Sequence, residues 1–316
     1  MLIWIAFGLL IVLLLALDLG VLNKKAHIPS IKESLSWTFG WVCLALAFSV
    51  FVYFAYENAW GINTTGLNGK EAVIKFLTGY VVEQSLSMDN IFVIAIIFSY
   101  FRIPPQYQHR VLFWGILGAV FFRGFMIGIG VVLINHFSWI IYFFGALLLY
   151  SAWKMLKSGD TPIDLKHNST IKLIRRFFPV TSHMDGERFF IRRMDVRAAT
   201  PLFVALMVVE STDIMFAFDS IPAIFAITTD PFLVFTSNIF AILGLRSLYF
   251  VLASSMDKFR YLKFTLVFIL FFVAVKMLLS HHVSIPEWTS LAVVLGAFSI
   301  GILSSLFSPP KNKTVL

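Results

Sequence analysis

The sequence predicts an all-α polytopic membrane protein with about nine transmembrane helices, and three observations support this fold class. Hydrophobic residues make up 59% of the 316 residues and charged residues only 13%, whereas a soluble domain carries about 25% charged residues. The apolar residues fall into nine long runs, each long enough to cross a bilayer. The basic residues collect in alternate connections between these runs. Together these features predict one integral membrane unit over residues 1–316 rather than two soluble domains.

The nine predicted spans follow one another along the whole chain. They cover roughly residues 2–22, 37–56, 72–101, 109–134, 136–153, 198–227, 231–256, 262–280 and 288–307. The third and sixth are the longest, near thirty residues each, which allows tilting, kinking or a local break. No positive charge precedes the first run, and Lys24 and Lys25 follow it. We therefore interpret it as a retained span rather than a cleaved signal peptide.

The positive charges orient these spans. Of the 25 Lys and Arg residues, 20 lie in the odd-numbered connections or in the C-terminal tail. The even-numbered connections hold only Lys70, with Lys75 at a helix edge. By the positive-inside rule, a multi-pass protein is predicted with its N-terminus outside and its C-terminus in the cytoplasm. The net charge of +8 is therefore an orientation signal within the bilayer and does not indicate nucleic-acid binding.

Residues 154–197 form the one sizeable polar stretch, and they carry ten of the basic residues. The stretch is too short to be a domain. It is predicted to be a basic cytoplasmic connector between the two halves of the chain, and a regulatory or lipid-binding role for it stays open. No feature of the sequence identifies a protein partner.

Six acidic side chains lie inside the apolar runs, where a carboxylate costs on the order of 3 kcal/mol. Such groups usually face the interior of a helix bundle or a wet cavity, and they suggest a path for ions or protons. Asp18 lies near the cytoplasmic end of its span, so it has two alternative roles: a position at the membrane interface or a place in the site. The six are Asp18, Glu83, Asp89, Glu210, Asp213 and Asp219.

Four of these acids belong to a repeated motif. The third span contains Glu83, followed six residues later by Asp89-Asn90-Ile91, and the sixth span contains Asp213, followed six residues later by Asp219-Ser220-Ile221. The two spans run in opposite directions through the membrane. The motif therefore predicts an inverted three-plus-three repeat of spans three to five and six to eight, in which transporters often place a site near the midplane.

Helix geometry predicts which of these groups converge. Glu83, Ser87 and Asn90 are spaced at i, i+4 and i+7, which places them on one face of the third span. In the sixth span, Ser220 lies seven residues beyond Asp213 and shares its face in the same way.

The remaining acids of these two spans are placed differently. Glu210 is three residues before Asp213, close to its face. Asp89 and Asp219 lie about 120° away from the faces that carry the other groups. They reach the same site only if the helices unwind locally or if several helix faces line one cavity, and Pro222 makes a local break in the sixth span a possibility.

The charges favour a cation as ligand. Six buried acids oppose Arg123, Arg246 and Lys276, which leaves three negative charges uncompensated. A divalent cation would cancel much of this charge, and so would protonation, because burial favours the neutral form of a carboxyl group. We expect the two arginines to act as structural counter-charges, with gating as the alternative. Carboxylate, amide and hydroxyl oxygens suit Mn²⁺, Mg²⁺ or Ca²⁺, and ligand chemistry alone does not separate Mn²⁺ from Ca²⁺.

The same residues carry a resemblance to the TerC family of integral membrane proteins, in particular its Alx-like branch. The matching stretches are Ala16-Leu-Asp18-Leu19, Glu83 to Asn90, Glu210 to Pro222 and Thr228 to Arg246. The resemblance implies a nine-helix relative of the LysE-type transporter superfamily in a bacterial inner membrane. It also implies a role in metal-ion homeostasis, with manganese export as the leading activity and tellurite resistance as an older label. The positions implicated in that family fall on Asp18, Glu83, Asp89, Asn90, Glu210, Asp213 and Asp219.

These observations lead to an expected function. We expect a secondary transporter that exports Mn²⁺ and takes protons in return, with the acids, Ser87 and Ser220 as cation ligands and with no permanently bound cofactor. The sequence has no Gly-rich phosphate loop, so proton return rather than ATP would drive export. The alternative is a non-transporting scaffold that serves tellurite resistance or metal insertion through residues 154–197. An enzyme is not expected, because no His-Glu-x-x-His pattern or nucleophile with its base is present.

Overall fold

The computed structural model describes residues 2–20, 30–60, 62–63, 65–137, 139–157, 169–181, 184–193, 196–253, 262–280 and 285–307. Within these ranges the chain consists of ten helices and one two-stranded sheet. In chain order they are α1 (Leu2–Gly20), α2 (Ile31–Glu57), α3 (Gly69–Tyr100), α4 (Pro105–His136), α5 (Ile140–Lys157), α6 (Ser169–Phe177), β1 (Phe190–Arg193), β2 (Val196–Ala199), α7 (Pro201–Phe225), α8 (Pro231–Ala253), α9 (Leu262–Leu279) and α10 (Glu287–Phe307).

The predicted fold class is confirmed. Among the described residues, eight helices are long and apolar enough to cross a membrane, and α1 adds a shorter apolar helix. The predicted spans one to five correspond to α1–α5, and spans six to nine correspond to α7–α10. The protein is therefore an all-α, multi-pass integral membrane protein. The orientation of its termini stays a prediction.

Polar caps explain why two helices begin earlier than their apolar runs. Helix α2 begins at Ile31 because Ser30 and Glu33 form a capping box, in which each side chain accepts a hydrogen bond from the other residue's backbone N–H. Asn68 and Glu71 form the same arrangement at the start of α3. A prediction based on apolar residues alone does not detect polar first turns of this kind.

Helix α7 is shorter than predicted and is not broken. It has 25 residues, whereas α3 and α4 have 32 each. Pro222 lies inside α7 without ending it. The proline is in the last turn, where the single backbone hydrogen bond that it forfeits does not interrupt the rest of the helix. Local unwinding, one of the two routes by which Asp89 and Asp219 were expected to join the site, does not occur in either motif helix.

Helices α3 and α8 form the centre of the bundle, since more than half of each candidate span is buried. Small residues allow their close contact: a Cβ added at Gly79 would lie 2.8 Å from Ser237 Oγ. Helix α3 also packs against α2, α7 and α10, and α8 packs against α2 and α4. The motif helices α3 and α7 are thus direct neighbours.

The helix contacts have the pattern that an inverted repeat would produce. If α3–α5 and α7–α9 were equivalent, the α3–α8 contact would correspond to the α7–α4 contact, and both occur. Exchanging the two halves would map three further contacts onto themselves, and all three occur: α3–α7, α4–α8 and α5–α9. The repeat stays a prediction, because a shared contact pattern does not by itself superpose the two halves.

The connector has local structure of its own where it is described. Helix α6 buries Ile171 and Ile174 and packs against α7. Strands β1 and β2 form an antiparallel hairpin, in which Phe190 pairs with Ala199 and Arg193 with Val196. The connector therefore contacts the helix that carries the second acidic motif.

Candidate functional site

Arg123 lies at the centre of the charged interior. Its side chain is 1% exposed and projects from the middle of α4. The guanidinium forms an ion pair with Glu83 of α3 through Nη1. It also donates two hydrogen bonds to Asp213 of α7, with Nη2–Oδ1 at 3.0 Å and Nε–Oδ2 at 3.3 Å. One arginine therefore holds the first acid of both motif copies.

Uncharged polar groups complete this arrangement. Arg123 Nη1 also donates to Ser220 Oγ and to Asn238 Oδ1, each at 3.2 Å. Asn238 Nδ2 in turn donates to Glu83 Oε2 at 3.3 Å, and Ser87 Oγ donates to Glu83 Oε1 at 3.2 Å. The group of side chains on α3, α4, α7 and α8 is called the central network below. It comprises Glu83, Ser87, Arg123, Asp213, Ser220 and Asn238.

Helix periodicity explains how the central network assembles. Glu83 and Ser87 are one turn apart and bond to each other, as the predicted face of α3 requires. Asp213 and Ser220 are two turns apart, and both contact Arg123. Asn90, the third member of the α3 face, lines two cavities next to the network.

Two small cavities adjoin the network. The first cavity, of about 30 Å³, exceeds the space that one water molecule needs. Asn90, Thr212 and Asp213 are its polar lining residues, and the rest of its wall is apolar. The remaining lining residues are Ile94, Leu112, Gly115, Ile116, Ala119, Val209, Phe216, Ile242 and Leu245.

The second cavity, of about 20 Å³, is called the acidic cavity because three carboxylates line it. Glu83 and Asp89 enter its wall from α3, and Asp219 enters from α7. Asn90 and Ser220 contribute an amide and a hydroxyl. Oxygen-bearing side chains from both motif copies therefore line one space. The apolar part of the wall consists of Leu86, Met155, Phe216, Leu266 and Leu270.

Asp89 and Asp219 reach the acidic cavity from continuous helices. Because α3 and α7 stay helical at these positions, their acids lie on different faces from Glu83 and Asp213, and several faces line the interior. Asp219 also accepts a hydrogen bond from Ser151 Oγ of α5 at 2.5 Å.

Glu210 is buried but separate from the central network. It is 8% exposed and lies against Gly118 of α4, where an added Cβ would overlap its carboxylate. Its Oε2 has no hydrogen-bond partner among the residues that the structure describes. The structure thus keeps Glu210 near Asp213, as the three-residue spacing predicts, without joining it to Arg123.

The other predicted charges lie elsewhere. Asp18 is in the last turn of α1, and its side chain lies outside the described part of the structure. Arg246 lines a third cavity together with Glu33 and His109, apart from the central acids. Lys276 donates to Glu287 Oε2 at 2.9 Å, an acid that was not among the six. Lys276 therefore does not compensate the predicted acids, because it has an acid of its own, whereas Lys263 and Lys154 interact electrostatically with Asp89 and Asp219.

The structure adds one residue to the predicted site and one buried acid outside it. Asn238 is not among the predicted ligands, yet it bonds to both Glu83 and Arg123. Asp230, which is not among the six predicted acids, is a fully buried carboxylate. The spacing of Asp230 before an apolar run is an N-cap signal that could have drawn attention to it.

The arrangement does not contain a preformed metal cage in the part of the chain that the structure covers. No three His, Cys, Asp or Glu side chains are grouped closely enough to hold one ion there. The guanidinium of Arg123 stands between Glu83 and Asp213 instead. The assignment of cation ligands to the predicted residues stays a prediction.

The fold and the interior define a polytopic membrane protein with an ionic network buried between its two motif helices. The family model described as integral membrane protein TerC family matches residues 68–313, and the chain belongs to that family. No solved structure matches the chain.

Relatives are similar over almost the whole chain. An uncharacterized membrane protein of Myxococcus xanthus is 46% identical over 96% of this chain and 91% of its own length. An uncharacterized membrane protein of Rickettsia bellii is 40% identical over 96% of both chains. The Escherichia coli K12 protein named "Putative membrane-bound redox modulator Alx" is 41% identical over 93% of this chain and 91% of its own.

Proposed function

We propose that this protein is a secondary transporter that exports a divalent cation, Mn²⁺ in the first place, in exchange for protons. The observation that carries the proposal is the acidic cavity, where Glu83, Asp89 and Asp219 from the two motif copies line one small space in the bundle. Carboxylates inside a membrane-spanning bundle are costly, and where they occur they usually belong to a path for ions or protons.

The ligand chemistry supports a hard cation. The groups around the acidic cavity are carboxylate, amide and hydroxyl oxygens, which suit Mn²⁺, Mg²⁺ and Ca²⁺. Mn²⁺ is preferred because of the family resemblance, and the ligands alone leave Ca²⁺ as the main competitor.

Charge balance supports exchange with protons. In the central network, one guanidinium faces two carboxylates, which leaves one negative charge uncompensated. At the adjoining cavity, Asp89 and Asp219 each lie within electrostatic reach of a lysine, Lys263 and Lys154. A site with this surplus is neutralised either by a divalent cation or by protons. Alternate occupation by the two would couple export to proton return as the two halves move about the site.

A direct test uses the purified protein in vesicles. Uptake of Mn²⁺, Ca²⁺, Mg²⁺ and Zn²⁺ is compared across an imposed pH gradient, with protein-free vesicles as reference. Because loss of even an outer-shell partner lowers metal affinity about 10–100-fold, Asp89→Ala should lower Mn²⁺ transport at least that much. The variant should remain in the membrane, as fractionation would show.

Asp185→Ala is the matched control. Asp185 is a surface acid that pairs with Arg188 at 3.1 Å, so its loss should leave transport unchanged. Normal Mn²⁺ transport by Asp89→Ala would reject the site. Absence of any pH-dependent cation transport by the unaltered protein would reject the function.

A scaffold role is the competing proposal. The connector contacts α7 through α6, so partner binding there could act on the interior without transport. The name of the Escherichia coli relative points to redox modulation. The 316 residues contain one cysteine, so a dithiol within the chain cannot supply such an activity.

If the scaffold role is correct, charge reversal in the connector should impair the protein's activity more than loss of the Asp219 carboxylate does.

A further inference from the structure

The guanidinium of Arg123 occupies the point where predicted cation ligands converge. Three of its partners, Glu83, Asp213 and Ser220, belong to the predicted ligand set, and the fourth is the amide oxygen of Asn238. All four present oxygen atoms, and they come from α3, α7 and α8. This is the kind of shell that a hard cation receives in a protein.

The charges of the two buried carboxylates favour a cation at this point. Glu83 is 0% exposed and Asp213 is 16% exposed, so the two carboxylates have little access to water. Breaking a buried pair by removing one partner is strongly destabilising, because it leaves a charge without compensation. In a carrier without bound metal, these carboxylates are neutralised either by protons or by another cation, and in this structure α4 provides that cation as Arg123.

The first cavity is the space toward which a displaced guanidinium would move. Ala119 lies one turn before Arg123 on α4 and lines that cavity. Side chains on a helix lean toward its N-terminus, which is the direction of Ala119 from Arg123. Asp213 lines the same cavity, so a displaced guanidinium could keep one of its acidic partners.

We propose that Arg123 is a tethered substitute for the transported cation. It neutralises Glu83 and Asp213 when the carrier is empty, and an arriving divalent cation displaces it toward the first cavity. The inference rests on the proposed function, and it adds that cation binding is a competition with a residue of the protein itself. It also explains why the described acids do not form an open metal cage.

The test measures cation binding rather than transport. The full chain is purified in detergent, and Mn²⁺ affinity is measured by equilibrium dialysis for the unaltered protein and for Arg123→Gln. Because the competing charge is gone, Arg123→Gln should bind Mn²⁺ about tenfold more tightly or better. Added Mn²⁺ should also raise the Tm of Arg123→Gln more than that of the unaltered protein.

Arg110→Gln is the matched control. Arg110 lies on the same helix and pairs with Glu187 at 3.1 Å, but both side chains are well exposed. Its loss removes one positive charge from α4 without touching the central network, so neither Mn²⁺ affinity nor the Mn²⁺ effect on Tm should change. A rise in affinity in both variants would point to a general charge effect and would overturn the proposal.

Other outcomes are equally decisive. Unchanged or weaker Mn²⁺ binding by Arg123→Gln would show that Arg123 is only a structural counter-charge. If the variant does not fold without added cation, Mn²⁺ during purification must restore it, and failure of that rescue would overturn the proposal. A gain in affinity without any transport by the unaltered protein in vesicles would instead uphold the displacement and reject the export function.

Discussion

Asp230 illustrates how one carboxylate can organise a helix end in this bundle. It is fully buried and accepts hydrogen bonds from the backbone N–H groups of Phe232 and Leu233 at 3.0 and 3.2 Å. It also accepts a hydrogen bond from Tyr56 Oη at 2.6 Å and one from Thr65 Oγ1 at 3.0 Å. Two of these hydrogen bonds cap the start of α8, and the other two connect it to α2 and to the segment that follows α2.

Replacement of Asp230 by Ala is expected to lower the free energy of unfolding by about 3 kcal/mol, because it removes an N-cap and leaves buried donors without partners. Denaturant titration in detergent, followed by circular dichroism, would measure the change. Tyr56→Phe removes a single donor and should cost about 1 kcal/mol. Equal costs for the two variants would contradict this assignment.

At the scale of the helices, glycines decide how closely α4 approaches its neighbours. A Cβ added at Gly130 would overlap the ring of Phe225 at the end of α7. At Gly128, two residues earlier on the same helix, an added Cβ meets nothing within 4 Å among the described residues. Comparing alanine substitutions at the two positions therefore distinguishes the effect of the packing contact from the low helix propensity of glycine.

Gly130→Ala is expected to destabilise the protein by about 1–3 kcal/mol, because an aromatic ring in a packed helix interface cannot easily move. Gly128→Ala should be neutral or slightly stabilising, since alanine is the better helix former. The Tm of the two purified variants would show the difference. Similar values would mean that the α4–α7 interface adapts to the extra methyl group.

For the whole molecule, the distribution of basic residues predicts the orientation in the membrane. Cys43 is the only cysteine of the chain and lies exposed on α2, so Cys43→Ser provides a background without thiols. Lys70→Cys should then react with a membrane-impermeant maleimide added outside intact cells, because its connection is predicted to face outward. Lys172→Cys in α6 should react only after the cells are opened.

Both lysines are exposed in the structure, so burial does not account for a difference in labelling. Reaction of Lys172→Cys in intact cells would reverse the predicted orientation and, with it, the direction of export. If Lys70→Cys is not labelled before lysis, its connection does not face outward, and the predicted alternation of outer and cytoplasmic connections is wrong.

The sequence alone was sufficient for the class of protein and for the short-range part of the site. Apolar runs report the number of spans because a bilayer excludes polar segments of that length. The spacings of Glu83 to Ser87 and of Asp213 to Ser220 report a common face because a helix repeats every 3.6 residues. These features depend on neighbours within one helix.

Only the tertiary structure decided which helices bring these faces together. Arg123 and Asp213 are 90 positions apart, and Asn238 is 155 positions from Glu83, so no local period relates them. The sequence also does not show that Arg246 and Lys276 lie apart from the motif acids, because each lies near an acid from another helix. A buried charge takes its partner from whatever helix packs beside it, and that neighbour is set by side-chain packing across the whole bundle.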